Sequence, residues 1–77
     1  MAQDAPPQRT PGQTIVDVDF AATDEISQIK QEFAALIDKV FEIPSRPNTF
    51  RHACQMETVR NLETAAMYAV KTITRPL

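Results

Sequence analysis

Cysteine, histidine and glycine each occur once in this 77-residue chain, as Cys54, His52 and Gly12, and tryptophan does not occur at all. A single cysteine excludes an internal disulfide. One histidine beside it cannot build a Cys/His zinc cluster within one chain, so no metal site is expected. Small chains without such staples usually gain stability by association, which makes an oligomer the expected state. Eight basic residues against ten acidic ones leave a net charge of −2. A general DNA-binding protein would carry a basic stripe, so none is expected here. A small anion needs only a few converging cations and stays open. No apolar run approaches the ~20 residues of a membrane span. The N-terminus has no apolar signal core, and a free thiol suits a reducing compartment, so a cytoplasmic protein with no membrane partner is expected.

What is present is helical patterning. Residues 1–13 hold three of the six prolines and the only glycine, and read as a loose tail. Residues 14–22 read as an N-terminal arm. Val16, Val18 and Phe20 alternate there with Asp17 and Asp19, the period of an extended segment with one apolar face. A short helical turn is the competing form. From about residue 23 a helical domain runs to residue 77, with helices over about 23–43 and 49–74. The first has Thr23 or Asp24 as its cap and Ile26, Ile29, Phe33, Leu36, Val40 and Ile43 along one stripe, widened by Ile37 and Phe41. Pro44 stops it. The short Pro44–Asn48 connection predicts an antiparallel two-helix hairpin. Asn48 or Thr49 caps the second helix, whose inward positions are Met56, Val59, Leu62, Ala66, Ala69 and Ile73. The expected fold is therefore all-α, and one short partner helix leaves apolar surface uncovered, which again suggests an oligomer.

Catalytic constellations are not apparent. His52 and Cys54, two apart on a helix, face different directions and have no acidic third member. Asp17 and Asp19 read as solubility charges. Arg51 and Arg60 are suited to clamping phosphate bidentately. Arg60 is better explained by pairing with Glu57 or Glu63 three residues away. Lys71 and Arg75 lie where cations complement a helix C-terminus. Phe20 reads as an anchor for the arm or as a base-stacking ring, and Tyr68 mainly as packing with its hydroxyl at a rim.

The second helix carries Leu62-Glu63-Thr64-Ala65-Ala66-Met67-Tyr68-Ala69-Val70-Lys71, and the first opens Asp24-x-Ile26-x-x-Ile29-Lys30. In this order, with Arg51 entering the second helix, they resemble phage sponge proteins that counter cyclic-oligonucleotide-based (CBASS) immunity, and the related hairpin of anti-Thoeris sponges. The resemblance spans about residues 23–76. It implies an oligomer, commonly a hexamer, that binds cyclic di- or trinucleotides between protomers without cleaving them and needs no cofactor. It also carries the family's phosphate-binding lysine onto Lys30 and its late basic residue onto Lys71. Phe33 stands where family members often have glycine, which puts a trinucleotide-type pocket in question. The family's N-terminal stacking tyrosine has no tyrosine counterpart, and Phe20 is the nearest aromatic. The expected function is a non-enzymatic cyclic-nucleotide sponge with Lys30, Arg51, Lys71, Phe20 and Arg60 as candidate ligand contacts. The alternative is a structural or adaptor hairpin that binds a protein partner.

Overall fold

A computed structural model describes residues 8–18 and 24–76. Its three helices, with no strand among these residues, make the chain all-α. Helix α1 covers Pro11–Ile15, α2 Glu25–Phe41 and α3 Phe50–Thr74. The middle helix α2 packs against both of the others.

The first helix begins inside the stretch read as a tail, and the reason is local. Thr10 and Gln13 form a capping box: the Gln13 N–H donates to Thr10 Oγ1 at 3.2 Å, and the Thr10 N–H donates to Gln13 Oε1 at 2.9 Å. Pro11 supplies a preset helical φ at the first position, where its missing N–H costs nothing. The helix is then held to α2. The Gly12 N–H donates to Asp38 Oδ1 at 2.7 Å, and a Cβ built on Gly12 would collide with the Ala34 carbonyl oxygen. Residues 8–13 are thus ordered by caps and docking, which corrects their assignment to a loose tail.

The extended reading of the arm is corrected as well, in favour of the helical turn. Asp17 takes φ 57, the left-handed conformation that closes helices. The Val18 N–H reaches back to Gln13 O at 3.0 Å and the Asp17 N–H to Thr14 O at 3.3 Å, the pair of bonds of a Schellman closure. Val16 and Val18 are buried and Asp17 is exposed. The alternation therefore sorts these side chains correctly, but through a helix terminus rather than a strand. Phe20 and Asp19 lie outside the described residues.

Helix α2 is capped by Asp24, whose Oδ1 accepts the Ser27 N–H at 2.9 Å. Its buried centre is Ile37, fully enclosed with Val18 in the cluster of Val16, Ala34, Val59 and Ala66. Burying an aliphatic side chain of this size contributes roughly 1.5–3 kcal/mol. The expected stripe is rotated by this arrangement. Leu36 and Ile43, assigned inward, remain 47% and 45% exposed. The cause is α1: with Gly12 seated on Ala34 and Asp38, burial centres between the two contact faces, on Ile37, one helical step of ~100° from Leu36.

Helix α2 ends at Phe41, two residues before the predicted stop. Glu42 and Ile43 donate to Lys39 O and Val40 O at 3.2 and 3.1 Å, tightening the last turn. Gln55 of α3 then takes over. Its Nε2 donates to Val40 O and Ile43 O, both at 2.8 Å, and its Oε1 accepts from Ser45 Oγ. Gln55 is 9% exposed, and its neighbour Met56, assigned inward from sequence, is 38% exposed. At this end of α3 an amide that satisfies the orphaned carbonyls of a helix end outcompetes a thioether for the interior. Val59 and Ala66 are buried as expected, and Leu62 packs on the core.

Two substitutions test these contacts. Gly12→Ala should destabilise the chain by about 1–3 kcal/mol, because the added methyl must push α1 off α2. Gln55→Leu should cost about 1–3 kcal/mol by taking the Gln55 donor from Ile43 O and leaving Val40 O with the Ile43 N–H alone. Urea unfolding monitored by circular dichroism reads both, and wild-type midpoints for either would show that its contact does not hold the fold.

Candidate functional site

The side chains singled out from sequence do not converge as one set. Lys30 of α2 and Lys71 of α3 line the same groove, of about 400 Å³. Ile15, Val16, Ala66, Met67 and Val70 supply its apolar walls, and Asp17 and Glu63 also reach it. The α1 terminus closes one side because the Schellman turn brings Ile15, Val16 and Asp17 over the junction of the longer helices. Lys30 is half-buried, its stem able to lie on apolar surface while the ammonium stays at the opening.

Size does not single out this groove. A second one, of about 420 Å³, lies between the start of α2 and the end of α3, lined by Glu25, Gln28, Ile29, Glu32, Ala69, Thr72 and Ile73. Its two carboxylates and lack of cations suit no anion. What distinguishes the first groove is that it has cations at all: two lysines face two carboxylates, and one of these, Asp17, is paired with Arg9 outside the lining at 3.1 Å. The four lining charges cancel. Lys71 also lies over the Tyr68 ring, 5.0 Å from its centroid, a cation–π contact that orients the ammonium. Tyr68 is 62% exposed, so within one chain its ring lies under Lys71 rather than in the core.

Arg51 lies elsewhere. Its Nε donates to Pro44 O at 2.7 Å, and it lines a groove formed by the α2–α3 connection with Pro44, Ser45, Arg46 and Thr49. Arg60 is exposed on α3 and lines neither groove. Its expected pairing with Glu57 or Glu63 is not formed, since the one ion pair among the described residues joins Arg9 to Asp17. A solvated arginine gains little from such a pair against the entropy of fixing both side chains. Phe20 falls outside the described residues.

Sequence reasoning missed Asp17, Ile15 and Val16 as groove residues, and Arg9 as the partner of Asp17. The signal was there in Thr10-Pro11-Gly12-Gln13, a capping box with proline at the first helical position, which announces an ordered helix start. Among the described residues no group of three His, Cys, Asp or Glu side chains is placed to hold a metal ion, and no helix is long and apolar enough to cross a membrane. Comparisons with protein-family models, curated proteins and solved structures find no match for the chain.

Asp24 makes the cap of α2 sensitive to pH. Its carboxyl is held below its ordinary value of 3.8, first by the backbone N–H of Ser27 and the Ser27 side chain, and to a smaller degree by Lys30. A lowered folded-state pKa means that the cap's contribution is complete above the unfolded value and is lost as pH falls through the lower folded one. The midpoint of thermal unfolding should therefore decline below about pH 4, and Asp24→Asn, which keeps an acceptor without the charge, should flatten that part of the profile. An unchanged slope in Asp24→Asn would assign the acid sensitivity to another carboxylate.

Proposed function

We propose that this chain is a cyclic-oligonucleotide sponge: an oligomer of antiparallel helical hairpins that binds cyclic dinucleotides without cleaving them and so removes an immune signal. The observation that carries the reading is the meeting of Lys30 and Lys71 in one apolar-walled groove. A cyclic dinucleotide presents two phosphodiester charges and two flat bases in a compact ring. Lysines at the opening suit the charges, and Ile15, Val16, Met67 and Val70 suit the bases. Both lysines are positions that the resemblance to phage anti-CBASS and anti-Thoeris sponges assigns.

One chain is not enough. A groove whose two lysines are balanced by two carboxylates cannot match two phosphodiesters taken out of bulk water, because desolvated charge must be met by opposite charge. A neighbouring protomer supplies the remaining cation in this reading, and Arg60, exposed and outside any ion pair among the described residues, is suited to do so. Leu36, Ile43, Met67 and Tyr68, each 45–62% exposed, give the protomers apolar surface to cover. That same surface favours the second reading, an adaptor that binds a protein. The second reading requires no affinity for nucleotides.

Calorimetric titration against cyclic di- and trinucleotides separates the two. Wild-type protein should bind at least one cyclic dinucleotide and release it chemically intact on heating. Lys30→Ala should weaken binding by about 2–5 kcal/mol, roughly 30- to several-thousand-fold, if the lysine meets desolvated phosphate. A solvated lysine would change it by under about 1 kcal/mol. Light scattering should give a mass above one 8.6 kDa chain, with a hexamer expected. Wild-type affinity in Lys30→Ala removes the site, and hydrolysed ligand removes the sponge.

A further inference from the structure

The connection between α2 and α3 carries a second feature, independent of the Lys30–Lys71 groove. Arg46 and Arg51 line one concave surface of about 400 Å³ with Pro44, Ser45 and Thr49, and no carboxylate lines it. Neither arginine belongs to the one ion pair among the described residues. Arg51 is already oriented, because its Nε is spent on Pro44 O at 2.7 Å, which leaves the terminal nitrogens of a rigid planar fork for another acceptor. Between the two arginines in sequence stands Phe50, 85% exposed, the most exposed of the large apolar side chains.

This charge distribution works against the helix it belongs to. The first turn of α3 contains no acidic residue. It carries Arg51 instead, where the helix dipole favours negative charge. A cation there is stabilised once an anion sits beside it. Phe50 is next to Arg51 in sequence and outside the residues that line the concave surface. Guanidinium groups for the phosphate and an exposed aromatic face at the rim for the base are the two parts a nucleotide site uses.

We propose that Arg46, Arg51 and Phe50 form a nucleotide site at the α2–α3 connection, with a phosphate group held between the two arginines and its base stacked on Phe50. The ligand class is a nucleoside phosphate, free or as the end of a single strand. The site lies apart from Lys30, so it stands or falls separately from the sponge reading.

The test is a titration of the full-length chain with adenosine 5′-monophosphate, inorganic phosphate and adenosine, followed by amide and Phe50 ring shifts in heteronuclear NMR. The expected result is that the monophosphate shifts signals of residues 45–51, with inorganic phosphate and adenosine each weaker. Phe50→Ala should weaken the monophosphate by ~5- to 150-fold while leaving inorganic phosphate unchanged. Arg46→Gln, whose side chain makes no hydrogen bond that the turn needs, should weaken both phosphates by about ten-fold or more. Arg51→Gln should do the same if the turn stays folded, which the unperturbed His52 and Gln55 signals would establish. Lys30→Ala should leave all of these shifts in place. Shifts absent at millimolar monophosphate, shifts confined to the Lys30–Lys71 groove, adenosine binding as well as its monophosphate, or wild-type affinity in Arg46→Gln would each overturn the site.

Discussion

Gly12 approaches the Ala34 carbonyl so closely that no side chain fits between them, and its N–H reaches Asp38 Oδ1 at 2.7 Å. Most of the chain's organisation depends on that contact. It seats a five-residue helix, far too short to persist alone in water, and gives it a partner across 26 residues of sequence. With α1 seated, Val16 and Val18 close over Ile37, and α2 becomes the middle layer of the fold instead of one half of a two-helix seam. The same seating brings Ile15, Val16 and Asp17 to the rim where Lys30 and Lys71 meet. The groove exists because the short helix docks.

At the opposite end, a different interaction does comparable work. Gln55 joins the last carbonyls of α2 to Ser45, and Ser45 Oγ also lies 3.0 Å from His52 Nδ1. Buried amide networks of this kind direct geometry more than they add stability, since each bond replaces one to water. The connection is thereby set in one shape, and the side chains it displays, Arg46, Phe50 and Arg51, come with it. The two ends of the molecule thus differ in character: one groove has apolar walls and lysines, the other has arginines and an exposed ring.

Legibility in the sequence followed the strength of local signals. The two long helices, their caps to within one residue (Thr23 or Asp24, Asn48 or Thr49) and the end of α3 at Thr74 were readable because capping chemistry and proline act within a few residues. The burial register of α2 was not, because it depends on a contact between Gly12 and residues some two dozen positions away. Ile37 and Leu36 are equally apolar, and only the docking of α1 decides between them. Gln55 was passed over for Met56 because periodicity ranks side chains by hydropathy, whereas a helix end needs donors. For the site, Lys30 and Lys71 were each singled out through a resemblance, and they line a common groove. Arg60, chosen for charge, and Arg51, chosen for charge and for its place in the resemblance, lie apart from it.

The central claim is that the apolar walls around Lys30 and Lys71 receive a ligand. Methyl-resolved NMR during titration with a cyclic dinucleotide addresses this directly, because it reports where a ring sits without altering any residue. The predicted result is a set of saturable shifts at Ile15, Val16, Met67 and Val70, with Leu36 and Ile43 unaffected by ring-current fields. Spectra unchanged at millimolar ligand, or shifts restricted to Leu36 and Ile43, would contradict it.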